Sequence, residues 1–331
     1  MSLTAHAFVD TFLPHKTPAN QLGYGQAPVN IALSKYWGKR HLELNLPTNS
    51  SLSISLPDLG TQTQLSLQPE LTADQVILNH TPLPTDHPFA QRVTQFLNLF
   101  RPTPETYFQI DTQNSVPTGA GLASSASGYA ALVLALNDLF QWQLSKPQLS
   151  ILARLGSGSA SRSLYEGFAI WHKGEKADGS DSFAEPIDQP WPDLCIGLVK
   201  VDISEKAVGS TAGMQRTVET CDLYQAWPQQ AERDVKTIQQ AIEKKDFTQL
   251  GETAEHNALS MHATMIATWP PIVYWQPASL AAMQTVWQLR QAGVEVYFTM
   301  DAGPNLKLLF ESQNQDKVLD VFPDCQIIRP F

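Results

Sequence analysis

Apolar and polar positions alternate along the chain in a way that separates strand signals from helix signals. Thr106-Tyr-Phe-Gln-Ile-Asp111 alternates with a period of two and predicts a strand. A small polar stretch, Val116–Gly128, then runs into Tyr129-Ala-Ala-Leu-Val-Leu-Ala-Leu-Asn-Asp-Leu-Phe140, an apolar run long enough for a buried helix and too short for a membrane span. Upstream, residues to about Gly25 read as an irregular lead-in with a short strand, and a buried strand begins at Ala27. Leu46–Leu56 reads as a turn followed by an alternating strand. Thr63–Leu67 and Gln75–Leu78 add strands to what the pattern predicts as an antiparallel region. Pro88–Phe100 has helical spacing, with Phe89, Val93, Phe96, Leu97 and Phe100 on one face.

Downstream, Ser145 caps a helix that carries Leu149, Leu152, Ala153 and Leu155 inward and stops at Gly156. Phe168–His172 reads as a strand, and Lys173–Ser182 as a polar turn. A second domain begins near Pro190, giving domains over 1–190 and 191–331, with Leu194–Val201 as its first buried strand. Helical runs follow at about Ala231–Lys244, Phe247–Met265 and Ala278–Ala292. Val294–Met300 is a strand that enters Asp301-Ala-Gly-Pro-Asn305, and Leu306–Phe310 returns.

Composition narrows the function classes. With 331 residues and 43% hydrophobic content, the chain supports a substantial core in one large or two smaller domains. A formal net charge of −10 argues against general nucleic-acid binding, although a local basic pocket still suits an anionic small molecule. Cys195, Cys221 and Cys325 are widely spaced and form no metal-ligand pattern, and the N-terminus lacks a secretory signal pattern. Together these predict a cytoplasmic protein without a membrane partner. His256 and His262 are six residues apart and do not share a helical face as an i, i+4 metal pair does.

The candidate chemistry concentrates in four places. In Val116–Gly128, Gly119 and Gly121 permit a sharp turn, and Ser124, Ser125 and Ser127 lie at a helix start whose free N–H groups suit a phosphate. A capped helix after a tight loop explains the stretch equally well. As a dinucleotide fingerprint it is weak: Ser124 takes the third glycine position, and Asp138 falls inside the apolar helix. As a Walker A loop it lacks the lysine. Lys35, Lys39 and Arg40 stand beside Tyr36 and Trp37, the pattern of an anion pocket with an aromatic wall or of a solvated basic loop. Arg162 lies among Gly156-Ser-Gly-Ser-Ala-Ser, where its fork reaches a carboxylate or phosphate, or makes a structural ion pair. Asp301 ends a strand before a glycine turn, as a turn former or as a carboxylate held at a pocket. No Gly-x-Ser-x-Gly elbow is present.

The phosphate loop resembles that of the kinase superfamily containing galactokinase, homoserine kinase, mevalonate kinase and phosphomevalonate kinase. Ala27-Pro-Val-Asn-Ile-Ala, Lys35-Tyr-Trp-Gly-Lys-Arg40, Leu46-Pro-Thr-Asn-Ser-Ser51, Gly156–Ser163 and Asp301-Ala-Gly-Pro-Asn305 are similar to those of the diphosphomevalonate decarboxylases, a resemblance that runs from about Gln26 to Phe310. It implies an α+β fold of two α/β domains with antiparallel sheets and a cleft between them. The N-terminal domain would be ribosomal-protein-S5-domain-2-like, and the C-terminal one ferredoxin-like-related. It also implies ATP- and Mg²⁺-dependent decarboxylation of mevalonate 5-diphosphate to isopentenyl diphosphate by a homodimer. In that reaction the tertiary 3-hydroxyl is phosphorylated first, and loss of phosphate and CO₂ then forms the double bond. Sister activities of the same fold are decarboxylation of the monophosphate and 3-phosphorylation of mevalonate.

By the same resemblance, Asp301 is catalytic, Arg162 holds the substrate carboxylate and Lys35 lies near the reacting centre. Tyr36, Lys39, Ser157, Ser159 and Ser210 bind substrate. Gly119, Gly121, Ser124, Ser125 and Lys206 serve the nucleotide, with Ser124 beside the Mg²⁺ of Mg-ATP. Two positions depart from the family pattern. Gly60 stands where many relatives carry an arginine for the substrate diphosphate, and Ser180 where relatives often have histidine.

Overall fold

The computed structural model describes residues 4–116, 124–202 and 207–331. Predicted site residues Gly119, Gly121 and Lys206 lie outside these. The lead-in differs from expectation: it forms helix α1 (Ala5–Phe12), capped by the Thr4 hydroxyl and buried through Phe8 and Val9, before β1 (Leu22–Ser34) starts. A short hairpin of β2 (Lys39–His41) and β3 (Leu46–Pro47) precedes β4 (Ser51–Leu67).

The expected pair of strands at Ser51–Leu56 and Thr63–Leu67 is thus one long strand with a defect. Its partner β1 pairs Pro28 with Gly60 but Val29 with Leu56, so Pro57, Asp58 and Leu59 bulge out of register. Proline has no N–H for a ladder and is tolerated in a strand at such a bulge. Then come β5 (Gln75–Leu78), β6 (Thr81–Pro82), α2 (Pro88–Leu97) and β7 (Phe108–Asn114). The prediction of purely antiparallel strands is corrected here, because β5 lies parallel to β7. The chain crosses between them through α2, and a crossover of that length permits parallel pairing where a tight hairpin does not.

Helix α3 (Ser124–Phe140) buries residues on nearly all sides, as its unbroken apolar run requires. Its polar pair is used structurally: Asn137 accepts the Leu144 backbone N–H at 3.2 Å, and Asp138 accepts that of Tyr24 at 2.9 Å. Helix α4 (Lys146–Gly156) begins as expected, with the Gln148 side chain accepting the Ser145 backbone N–H at 3.0 Å. A 3₁₀ turn (Gly158–Leu164), β8 (Phe168–Trp171) and β9 (Ala184–Ile187) follow. Along β4, Leu52, Ile54 and Leu56 point to one face while Ser51, Ser53 and Ser55 point to the other. The small serines let the 3₁₀ turn approach closely: Ser55 donates to the Tyr165 carbonyl at 2.7 Å.

The remaining chain forms β10 (Leu194–Val199), α5 (Ser210–Thr220), α6 (Trp227–Lys244), α7 (Phe247–Ile266), α8 (Pro277–Gln291), β11 (Val296–Met300), β12 (Leu306–Glu311), α9 (Gln315–Val321) and β13 (Gln326–Ile328). Its sheet has the order β11-β12-β10-β13, all antiparallel. The bulge in β4 separates two packing environments. On one side, Leu65 and Ala27 join the core beneath α2, α3 and α4. On the other, Val29, Ile31, Leu33, Leu52, Ile54 and Leu56 pack with Ile196 of β10, Ile238 of α6, Leu250 of α7 and Tyr297 of β11. The two sheets therefore share a core, and β1 delivers its C-terminal end to the junction between them.

Candidate functional site

A cavity of about 820 Å³ opens at that junction. Its lining includes every described residue predicted for the site: Lys35, Tyr36 and Lys39 after β1, and Ser124 and Ser125 at the start of α3. It also includes Ser157, Ser159 and Arg162 around the 3₁₀ turn, Ser210 at the start of α5, and Asp301 after β11.

Asp301 is held between two buried lysines. Lys35 Nζ lies 3.0 Å from Oδ1 and Lys307 Nζ lies 3.1 Å from Oδ2. Burial pushes the Asp301 carboxyl up, but the charges of Lys307 and Lys35 outweigh it and hold the group well below the usual carboxylate range. Lys35 is brought down to about 8, by burial first and by repulsion from Lys307 as well, against the attraction of Asp301. Its ammonium also donates to the Ala32 carbonyl at 2.7 Å. Its main chain is fixed on both sides, since Asn257 accepts its N–H at 2.8 Å and Asn49 donates to its carbonyl at 2.8 Å. Burial lowers His262 to about 4, so the ring is neutral near pH 7 and its Nε2–H donates to the Asp301 carbonyl at 3.0 Å.

Arg162 is 2% exposed. It donates through Nη1 to the Ser51 hydroxyl and through Nη2 to Asn30 Oδ1 at 3.3 Å. Burial lowers it to about 10, which still leaves it charged at neutral pH. Its Nε and the Tyr36 hydroxyl are buried without a hydrogen-bond partner among the described residues. Both belong to side chains that line the cavity, so an anion entering there meets donors with capacity to spare. The Tyr36 ring packs edge-on against Trp171, with centroids 4.9 Å apart, and burial pushes its phenol well up, so it stays a donor. Lys39 Nζ rests 2.6 Å from Asn45 Oδ1, and Asn45 donates to the carbonyls of Arg154 and Leu155, each at 2.9 Å. The Ser157 and Ser159 hydroxyls lie 3.2 Å apart.

A smaller, mainly apolar cavity of about 130 Å³, lined by Leu78, Phe89, Val93 and Ile110, shares Arg92, Ser124, Ser125 and Tyr129 with the large one. Among the described residues no group of three or more His, Cys, Asp or Glu side chains forms a metal cage, and no helix is long and apolar enough to cross a membrane. Cys195, Cys221 and Cys325 are free and buried.

The two departures sit apart from the cavity lining. At Gly60 a Cβ falls 2.3 Å from the Ala27 carbonyl oxygen, so β1 backbone closes the position to any side chain. Ser180 lies in the 173–182 turn, where its N–H donates to Asp178 Oδ1 at 2.9 Å. Sequence reasoning missed Lys307, His262, Asn30 and Asn257. A lysine inside the apolar strand Leu306–Phe310 and an asparagine inside the apolar start of β1 were the available signals for two of them.

Comparison with known proteins agrees with this geometry. Residues 27–184 match the family model for the diphosphomevalonate decarboxylase-like N-terminal domain, and residues 196–328 match that for the mevalonate 5-diphosphate decarboxylase C-terminal domain. The chain is 40% identical to the diphosphomevalonate decarboxylase of Candida albicans over 314 residues, covering 89% of this chain and 86% of the relative. It is 38% identical to that of Saccharomyces cerevisiae over 310 residues, covering 88% and 78%. Among solved structures, MDDEF in complex with MVAPP, AMPPCP and magnesium superposes with a TM-score of 0.86 at 42% identity, covering 93% of this chain and 96% of that one. Mevalonate diphosphate decarboxylase from Staphylococcus aureus superposes with a TM-score of 0.87 at 38% identity, covering 93% and 95%. On sequence and fold together, the chain belongs to the diphosphomevalonate decarboxylase family.

Proposed function

We propose that this protein catalyses the ATP- and Mg²⁺-dependent decarboxylation of mevalonate 5-diphosphate to isopentenyl diphosphate. The observation that carries the reading is the meeting of Asp301, Lys35, Lys307 and Arg162 in the same cavity region as the α3 N-terminus. A tertiary hydroxyl is a poor nucleophile and needs an acceptor to orient it. Asp301 is ionised throughout the physiological range and accepts that hydrogen bond. Its two cations make it a weak base, so it takes the proton late, when bonding to phosphorus has made the hydroxyl acidic. Arg162 presents a buried guanidinium with a spare donor to the substrate carboxylate, holding the C–C bond in position to break.

The nucleotide end fits Mg-ATP by its donor set. The 17-residue helix α3 points its N-terminus, with Ser124 and Ser125, into the cavity, and Arg92 stands beside them. ATP would supply the phosphoryl group there, and Mg²⁺, held mainly by phosphates and water with Ser124 adjacent, would spread its charge. The small apolar cavity on the far side of Ser124 suits the base. Tyr36, Lys39, Ser157 and Ser159 serve the phosphate tail, and Ser210, at the edge of α5, faces the substrate. Gly119, Gly121 and Lys206 complete the nucleotide side in this reading. The resemblance further supports a homodimer, two domains divided near Pro190 and a cytoplasmic location, the last also favoured by three free cysteines.

The test measures ADP and CO₂ together while mevalonate, its 5-phosphate and its 5-diphosphate are supplied in turn with Mg-ATP. Both products are expected from the diphosphate, and ADP without CO₂ overturns the reading. Asp301→Asn is expected to abolish ADP formation while ATP still binds, and near-normal turnover removes Asp301 from the reaction.

A further inference from the structure

We propose that Asp234 is a positioning residue for the reaction: through Asn257 it sets the backbone of Lys35, and so the placement of the Lys35 ammonium against Asp301. This rests on the decarboxylase reading and adds to it a residue that does not line the cavity.

Lys35 follows β1 of one sheet and Asp301 follows β11 of the other, so the 3.0 Å between their side chains depends on how the two sheets are registered. The ladder between β1 and β4 has its last pair at Ser34 and Leu52. The buried Lys35 N–H lies just beyond it and finds its acceptor on α7, at Asn257 Oδ1, 2.8 Å away. Five residues further along the same helix, His262 holds the Asp301 carbonyl at 3.0 Å. At 1.5 Å per residue these two grips are about 7.5 Å apart along a stiff helix. Helix α7 thus holds the backbones of both residues at once. A further tie runs from β11: the Thr299 hydroxyl donates at 3.3 Å to the Ala32 carbonyl, which also accepts the Lys35 ammonium at 2.7 Å.

The grip at Asn257 works in one orientation of its amide. An asparagine side chain has an acceptor on one side and an NH₂ donor on the other, and turned over it would set two donors face to face at Lys35. Asp234 of α6 fixes the orientation. Asn257 Nδ2 donates to Asp234 Oδ2 at 2.7 Å, and a carboxylate offers acceptors only. Ser34 agrees, since its hydroxyl donates to the Ala231 carbonyl at 3.3 Å and accepts Asn257 Nδ2 at 3.4 Å. Ala231 and Asp234 lie on the buried side of α6, so α6, α7 and the end of β1 meet at this amide. Asn257 and Ser34 are fully buried and Asp234 is 8% exposed, which makes the protein groups, not solvent, the partners of the amide.

Asp234→Asn replaces the acceptor-only partner by an amide that pairs with either orientation of Asn257, and the turned-over form releases the end of β1. A displacement of about 1 Å in a reacting group costs on the order of 10²-fold in rate. Asn257→Asp keeps an acceptor for Lys35 but sets two carboxylates 2.7 Å apart. Making both exchanges together rebuilds the chain with its direction intact: the new amide donates to the new carboxylate, which accepts the Lys35 N–H.

The experiment measures ADP and CO₂ formed from mevalonate 5-diphosphate and Mg-ATP by the native chain, the two single variants and the double variant, with Mg-ATP affinity and urea midpoints alongside. Each single variant is expected to lower kcat by about 10–10²-fold, ADP and CO₂ together, with KM for the diphosphate and Mg-ATP affinity changed by less than about threefold. The double variant is expected to recover most of the lost kcat. Should Asn257→Asp fail to fold, Asp234→Asn and the double variant carry the test. Single variants with a lowered urea midpoint but native kcat overturn the proposal, because Asp234 is then purely structural. A double variant no more active than Asp234→Asn also overturns it, as does CO₂ falling while ADP formation persists, since Asp301 acts at the phosphoryl step. In each of these cases native turnover leaves the decarboxylase reading intact. Absence of both products from the native chain overturns that reading and this proposal with it.

Discussion

Replacing Asp301 by asparagine tests the charge triad directly, through stability rather than turnover. The carboxylate lies 3.0 Å from Lys35 and 3.1 Å from Lys307. At an effective dielectric constant of about 20, each such pair is worth about 5 kcal/mol before desolvation. Removing the shared anion would leave two buried cations facing each other, a change that commonly costs about 3–5 kcal/mol. Lys35 provides an escape, because its pKa is already brought down to about 8. Without Asp301 it falls further, and Lys35 is neutral in the folded variant near neutral pH while its unfolded counterpart remains protonated. The unfolded variant then binds one more proton than the folded one, so the stability of the variant rises with pH. In the native protein Lys35 stays charged in both states below about pH 8, and that slope is absent. The stability gap between the two proteins should therefore widen by roughly 3 kcal/mol as pH falls from about 8 to about 6. Groups that titrate alike in both proteins cancel in the difference. Urea unfolding at several pH values across this range measures the gap, and a gap independent of pH refutes the argument that Lys35 absorbs the loss.

Lys307→Met leaves Asp301 with one cation and should raise its carboxyl by about 1–3 pKa units. A depressed carboxyl adds stability above its unfolded pKa and loses it on acidification, so the acid-unfolding midpoint should move to higher pH; an unchanged midpoint shows that Lys307 does not hold Asp301. Arg162→Gln should raise the substrate KM by on the order of 10²-fold with ATP affinity unchanged, while equal losses for both ligands make Arg162 a purely structural residue. Gly38→Ala should destabilise by on the order of 3 kcal/mol, because Gly38 has φ +112° and a Cβ there falls 1.7 Å from the Tyr224 hydroxyl. A denaturation midpoint equal to that of the native protein contradicts that reading.

Local pattern carried much of this protein. The apolar run from Tyr129 to Phe140 is a helix because nothing in it interrupts the pattern except Asn137 and Asp138, which accept the backbone N–H groups of Leu144 and of Tyr24 in β1. The strand from Val296 to Met300 had to end at Asp301-Ala-Gly-Pro, and it does. The small residues around Arg162 announced a close approach, and the serine face of β4 receives it. These signals work because period and turn chemistry act over a few residues. Tertiary structure decided the rest. Residues 51–67 form one bulged strand because β1 slips its register against them, which alternation within β4 alone does not reveal. Strand β5 lies parallel to β7 because α2 carries the chain across between them. Lys307 reaches Asp301 because β12 pairs with β11 opposite Thr299, and His262 reaches it from α7. Composition and motif spacing named the aspartate and most of the donors around it. How acidic that aspartate is depends on two lysines far from each other in the chain, and only the packed sheets bring their charges within 3.1 Å of it.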